Sequence, residues 1–392
     1  MTGLMNSQLP KYPRVLSGPI STLVASLISL QYILLALWQY RSVKTAREVL
    51  SSIGKLAKDF LGDSQYNRIV FTGRKFYFNL HAPGFPSKII LKNNLAELHK
   101  IKPIRAPHNR LRILFQSITN KCPLKCEHCY EWPNLNKPDL LGAEEYKRIL
   151  SKFTAAGIGQ VHLGGGEAML RYPCLLDLTK FLKSKTEVWL ATSGLGVTFE
   201  KALELKNNGM TGMVISVDHY HEEKHNIFRG SERSFDWAMN ATENSIRAGL
   251  ITCWSICVTR EFVTQENLDR YVSFAASKGI HFIQVFEPMV TERFRDPEVM
   301  LTREQFDILE DYYITINSQK KMKKTPLVTY HGYHQRRIGC KGKGESYLFI
   351  DSSGQMHACP YCRNDRQISA LDYPLETSLE RLSEEKCVLE QA

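Results

Sequence analysis

The chain has 392 residues, 43% of them hydrophobic and 23% charged. That composition is ordinary for a globular protein with two or three domains, and it excludes general disorder, a collagen repeat and a small disulfide scaffold. The net charge of +11 is uneven: residues 1–112 hold 17 Lys or Arg against 4 acids, and the rest holds 34 against 36. An anionic partner is therefore expected for the N-terminal third, either lipid head groups or nucleic acid.

Residues 15–40 carry no charge and read VLSGPISTLVASLISLQYILLALWQY. The run is long enough to cross a bilayer core. Tyr32, Trp38 and Tyr40 gather toward one end, and Arg41, Lys44, Arg47, Lys55 and Lys58 follow. That order suits an interfacial belt with a cytoplasmic positive flank. A spanning helix leads over a buried or interfacial one. A signal peptide is least favoured, because the run is long for its apolar core and no cleavage site is clear. Thr22, Ala25, Ser26 and Ser29 form a small-residue face at helical spacing. Ser42 to Leu61 predicts an amphipathic helix, capped by Ser42 and stopped by Gly62. Ile69 to Leu80 predicts a hairpin turning at Gly73, and residues 82–86, with two prolines, a loop. No chemical motif lies in this basic platform.

From Leu111 a β-branched and aromatic stretch predicts a strand. It leads into a loop with Cys122, Cys126 and Cys129, spaced Cys-x3-Cys-x2-Cys. Three thiolates supply three of the four ligands of a four-iron cube and leave one iron open. The alternative is a structural zinc site, which usually draws two close pairs of ligands. Here only His128 is near, between two of the cysteines. The apparent strand Gln160–Leu163 leads into Gly164-Gly165-Gly166-Glu167, where glycine lets a backbone approach a ligand closely. Further strands are expected at Glu187–Thr192, Met213–Asp218, Thr252–Thr259 and Phe282–Phe286. Alternation with helices predicts a parallel barrel with its chemistry at the C-terminal strand ends. His221-Glu222-Glu223-Lys224-His225 fits the zinc-protease pattern, read here as coincidence. Cys174, Cys253 and Cys257 read as free thiols. A second cysteine group follows at Cys340, Cys359 and Cys362, with a strand and a turn at Ser352-Ser353-Gly354 between them and a lone Cys387 after them.

Together these motifs resemble the radical S-adenosylmethionine enzymes over about residues 110–390. The resemblance rests on the Cys122, Cys126, Cys129, Tyr130 loop, on Gly165-Gly166-Glu167 and on Thr192-Ser193-Gly194, where the family usually has Asn in place of Ser193. It also rests on the run Ser216, Asp218, His225, Asn226, Arg229, Gly230 and Ser234-Phe235-Asp236, where Asn226 replaces the usual Asp. It implies an α/β fold: a partial (β/α)6 TIM-like barrel with an N-terminal extension and a small Cys-rich C-terminal domain. The implied domains are 1–108, an apolar helix and basic platform that is a candidate membrane anchor; 109–325, the radical SAM partial barrel; and 326–392, a SPASM/twitch-like region.

The resemblance implies a [4Fe-4S] cluster with an open iron on Cys122, Cys126 and Cys129, and S-adenosylmethionine beside it. Tyr130 would lie near the adenine. Gly165, Gly166 and Glu167 would receive the amino group, and Ser193 would lie near the ribose or carboxylate. Ser216 and Asp218 would meet ribose or substrate, and Arg260 would pair with the cofactor carboxylate. One auxiliary [4Fe-4S] cluster is implied on Cys340, Cys359, Cys362 and Cys387, with a zinc knuckle on the same thiolates as the alternative. The expected activity is cleavage to a 5′-deoxyadenosyl radical that modifies a peptide or protein. A lipid or membrane-borne small molecule is the runner-up substrate, and a non-catalytic iron–sulfur or zinc protein the third reading. The expected partners are a low-potential electron donor and a membrane met through residues 15–40, with no nucleic acid. The catalytic domain is expected on the cytoplasmic side of the membrane.

Overall fold

The structure is a computed structural model that describes residues 12–64, 67–104, 111–290, 293–294, 297–318, 325–363 and 367–384. The N-terminal third comprises β1 (Arg14–Ser17), α1 (Pro19–Tyr40), α2 (Val43–Leu61), β2 (Arg68–Phe71), β3 (Phe76–Tyr77) and α3 (Lys88–Ile101). Val15 to Ser17 pair with β2 as a strand, so the apolar helix starts only at Pro19. The Ser42 hydroxyl accepts from the Thr45 amide and Gly62 closes α2 at φ +54°, as the cap and stop residues predict. Ala36, Ala46, Val49 and Leu98 join the three helices in one buried cluster.

The barrel strands are β4 (Ile113–Ser117), β5 (Gln160–Gly164), β6 (Glu187–Thr192), β7 (Met210–Ser216), β8 (Ile251–Cys257) and β9 (Phe282–Phe286). Between them run α4 (Ala143–Ala155), α5 (Tyr172–Leu182), α6 (Phe199–Asn207), α7 (Glu222–Arg229), α8 (Ser234–Arg247) and α9 (Gln265–Ser277). Then come α10 (Arg303–Ser318), β10 (Leu327–Tyr330), α11 (His331–Ile338), β11 (Tyr347–Ile350), β12 (Met356–His357) and α12 (Leu375–Ser383). The sheet order is β10-β9-β8-β7-β6-β5-β4-β11-β12, parallel except at the β11–β12 step. It is the expected open α/β barrel with one strand added beyond β9 and two beyond β4.

Some strand bounds differ from expectation: β8 runs from Ile251 to Cys257, not from Thr252 to Thr259, and β5 extends to Gly164. The fourth barrel strand runs from Met210 to Ser216, not from Met213 to Asp218, because the Asp218 amide leaves the ladder to bond His225 Nδ1 at 3.1 Å. The sheet also does not stop at residue 325. β10 covers the edge of β9, and β11 covers the edge of β4. Both would otherwise be bare edge strands.

The N-terminal third closes the base of the barrel. Val70, Tyr77 and Leu80 pack with Trp189, Val214, Ile251, Phe282 and Leu327, of which Ile251, Phe282 and Leu327 begin their strands. Glu187 Oε1, at the start of β6, receives Lys75 Nζ at 3.0 Å, Tyr77 OH at 3.0 Å and the Gly84 amide at 3.1 Å.

Candidate active site

The cysteine loop leaves β4 at Ser117 and is held on both flanks. On one side the Gly166 amide donates to Thr119 O at 2.8 Å and the Glu167 amide to Lys121 O at 2.7 Å. A Cβ on Gly165 would lie 2.4 Å from Thr119 O, and one on Gly166 2.4 Å from Lys121 O. The glycine run is thus required by the close seating of the cysteine loop. On the other side, the Lys125 amide donates to Arg229 O at 3.2 Å and the Glu127 amide to Phe228 O at 3.0 Å, while His128 stacks on Phe228 at 4.8 Å. Asn136 clamps the main chain of Cys122 through two 3.1 Å bonds.

Cys126 is buried, and Cys122 and Cys129 are partly exposed. Burial pushes the Cys122 and Cys129 thiols up to about 12, and nearby thiols push the same way. Arg229 Nη1 lies 3.6 Å from Cys126 Sγ. Three cysteines on one loop, with a guanidinium against one of them, are the residue type and spacing that iron–sulfur chemistry uses. Metal coordination would deprotonate the thiols that burial keeps neutral. Among the described residues no three His, Cys, Asp or Glu side chains form a group that could hold a single metal ion.

Arg229 is itself anchored. Its Nε donates to Asp218 Oδ2 at 2.5 Å in a pair almost out of solvent. Asp218 Oδ1 accepts from the Cys257 amide at 3.0 Å. Burial would raise the Asp218 carboxyl, but Arg229 and nearby polar groups hold it below its ordinary value. The Asp218, His225 and Arg229 signature therefore works as a buttress from β7 and α7 onto the cysteine loop. Asn226 caps the start of α8: its Oδ1 accepts from Ser234 Oγ and the Phe235 amide, both at 2.8 Å, and its Nδ2 donates to Glu232 O. An amide serves there because acceptor and donor are both used.

The other candidates separate. Glu167 is fully buried, with its carboxylate turned to the end of β6: Oε1 accepts from Thr192 Oγ1 and the Met169 amide, and Oε2 from the Ser193 amide and hydroxyl. Glu167 and Ser193 thus hold each other, and Gly165 and Gly166 present main chain beside the cysteine loop. Ser216, at the end of β7, is partly exposed opposite Ser255 of β8. Arg260 Nε donates to Met300 O at 2.5 Å, and its carbonyl accepts from Gln305. His225 is turned to the Asp218 amide, so the zinc-protease pattern forms no chelate.

The second cysteine group lies against the first. Tyr130 packs edge-on to Phe349 at 6.0 Å and to Tyr361 at 5.8 Å. Arg363 pairs with the buried Glu131 at 2.9 Å, and Ser352 Oγ donates to Asn120 Oδ1 at 2.7 Å. Cys359 and Cys362 are buried and Cys340 is exposed; burial pushes the Cys359 thiol up to about 12, with Cys362 and Cys340 adding to it. Cys387 lies outside the described residues.

Inside the barrel, Phe115, Ala191, Ser216, Ser255 and Phe286 are reached by solvent on strands whose other positions are mostly buried, which defines an open lumen. Its floor is a set of imidazoles that sequence reading missed. His81, from the loop after β3, meets His331 with Nε2 atoms 3.0 Å apart, and Gln284 Nε2 lies 3.1 Å from His81. His162 stacks at 5.6 Å from His81 and 5.8 Å from Trp189. Burial drives His162 down to about 3 and His331 to about 4, and His81 falls well below its usual value. No local pattern marks these residues, because they come from β5, β9, the start of α11 and the N-terminal third.

An open parallel barrel with a three-cysteine loop at the C-terminal ends of its strands defines the class. Residues 117–275 match the family model described as the Radical SAM superfamily. The family's cofactors are a [4Fe-4S] cluster and S-adenosylmethionine. The chain is 25% identical over 266 residues to mycofactocin maturase MftC of Mycolicibacterium smegmatis, covering 64% of each chain. It is 24% identical over 275 residues to the AdoMet-dependent heme synthase of Methanosarcina barkeri, covering 64% of this chain and 78% of that one. Its match therefore spans somewhat less than two thirds of the maturase. Among solved structures, Streptococcus suis SuiB bound to precursor peptide SuiA superposes with a TM-score of 0.56 at 16% identity, covering 76% of this chain and 70% of that one. Native anSMEcpe with bound AdoMet gives 0.55 at 16% identity, covering 71% and 83%. These likenesses are of fold.

Proposed function

We propose that the chain holds a four-iron cluster on Cys122, Cys126 and Cys129, binds S-adenosylmethionine beside it, and modifies a peptide or protein side chain in the barrel lumen. The carrying observation is the three-thiol loop, braced by Arg229 at the mouth of an open lumen. When bound, the two cofactors supply reductive cleavage of the sulfonium, which gives a 5′-deoxyadenosyl radical able to abstract hydrogen from carbon. The chain's own residues hold that chemistry in place. Asp218 keeps Arg229 against Cys126. The main chain at Gly165 and Gly166 offers polar groups to the cofactor, and Glu167 acts by positioning Ser193 and the end of β6. Ser216 and Ser255 offer hydroxyls to ribose or substrate.

Similarity to a mycofactocin maturase and to the fold of a precursor-peptide complex supports a peptide over a small lipid. Cys340, Cys359 and Cys362, with Cys387, are assigned a second cluster in a SPASM/twitch-like region. The Tyr130–Tyr361 and Glu131–Arg363 contacts support its placement beside the first cluster. A low-potential donor is required to reduce either centre.

Anaerobically reconstituted protein is expected to hold about eight irons per chain and to form 5′-deoxyadenosine with reductant and cofactor. Cys126→Ala should fall to about four irons and lose cleavage altogether. About four irons with cleavage intact in the parent protein would remove the second cluster and keep the first. Bound zinc without iron or cleavage would refute the enzyme reading.

A further inference from the structure

Helix α1 is long and apolar enough to cross a membrane, yet only 17% of its most apolar window is buried. Its inward face is fixed along its whole length. At its start, β1 pairs with β2 and Ser21 Oγ donates to Asn67 O at 3.1 Å. In the middle, Asn94 Nδ2 donates to Gln31 Oε1 at 2.9 Å. At its end, Tyr40 OH donates to Leu98 O at 2.7 Å.

A 22-residue helix is about 33 Å long, so a spanning α1 would place its two ends on opposite sides of a bilayer. Here both ends are tied to one body. That body carries Lys88 and Lys92 on α3, and it also plugs the barrel. It would have to enter the hydrocarbon along with the helix, where charged side chains are costly.

The outward face tells a different story. Ile20, Leu23, Leu27, Leu30, Leu34 and Leu37 recur at spacings of three and four and are all exposed, with Leu23 at 60% and Leu34 at 58%. Ile33 and Trp38 widen the stripe, Trp38 at 68%. A contiguous apolar face of this size marks a docking surface. Arg14 lies before it, and Arg41, Lys44 and Arg47 lie beyond it, all exposed. A second copy of the chain would bring two strongly basic thirds together, whereas an anionic surface complements them.

We propose that α1 lies in the plane of an anionic membrane surface, its Leu stripe in the acyl boundary and the flanking Arg and Lys at the head groups, so that the protein sits on one leaflet without crossing it. Single-sided attachment of this kind combines buried apolar area with electrostatic attraction.

The test is flotation of the full-length protein with vesicles of phosphatidylcholine alone or mixed with phosphatidylglycerol. Binding should be at least tenfold greater to the anionic vesicles, fall with salt, and be released by alkaline carbonate. Leu27→Gln with Leu34→Gln, both at exposed positions, should cut the bound fraction at least tenfold with the unfolding midpoint unchanged. An Arg41→Gln, Lys44→Gln variant, which leaves the stripe intact, should lose the preference for anionic lipid. Carbonate-resistant retention would overturn the in-plane placement in favour of a span. A concentration-dependent dimer that the Leu variant abolishes, without vesicle binding, would overturn lipid in favour of a second copy.

Discussion

Replacing Arg229 with Met is expected to destabilise the protein by about 3–5 kcal/mol, the usual effect of stripping one partner from a buried ion pair. Asp218 is almost wholly buried, and its Oδ2 is paired with Arg229. Without the guanidinium its charge is stranded, and the Cys257 amide alone cannot compensate it. The loss extends to the cysteine loop, because the Arg229 guanidinium also reaches Cys126. Iron retained after reconstitution should therefore fall together with the anaerobic urea midpoint. The double variant Arg229→Met, Asp218→Asn should recover part of the stability and none of the contact with Cys126. An unchanged midpoint with full iron content in Arg229→Met would show that neither the pair nor the buttress matters.

Acid should destabilise the protein before its exposed carboxylates titrate. His128 and His331 are driven by burial to about 4, His162 to about 3, and His81 well below its ordinary value. Their unfolded pKa is about 6.5. Between about pH 6.5 and 4 the unfolded chain therefore takes up protons that the folded chain refuses. Stability is full above that window and falls as pH drops through it, by up to about 1 kcal/mol per pH unit for each such histidine. The measurement is the urea midpoint of cluster-free protein from pH 8 to 5. His162→Gln keeps a polar side chain at the floor and removes one proton site, so it should flatten the slope by about 1 kcal/mol per pH unit. A slope indifferent to His162→Gln would mean that His162 titrates alike in the folded and unfolded chains.

Features carried by neighbouring residues were legible in the sequence. β6 and β9 fall at the expected residues because each is a short run of strand-forming residues. Ser42 and Gly62 bound α2 because cap chemistry is local. The cysteine loop was legible from its Cys-x3-Cys-x2-Cys spacing, which is local in the chain. What depends on distant partners was not legible. LVTY at 327–330 is too short to distinguish, and it becomes β10 only because β9 offers an edge. The hydrogen bonds that the Glu167 carboxylate accepts from Thr192 and Ser193 are likewise invisible in the sequence. The uncharged run at 15–40 reads as a span because its composition does not reveal that Ser21, Gln31 and Tyr40 are tied to one body. His81, His162, Gln284 and His331 converge from separate elements, and only closure of the barrel base brings them together.

The pairing of β11 with β4 sets one further relation. Tyr347 to Ile350 lie in register with Ile113 to Gln116, the strand that leads straight into the first cysteine loop, and β12 turns back toward Cys359. The two cysteine groups are thus spaced by a backbone ladder and not by a tether. In the proposed two-cluster enzyme, an electron passing between the two groups would cross a separation set by this ladder.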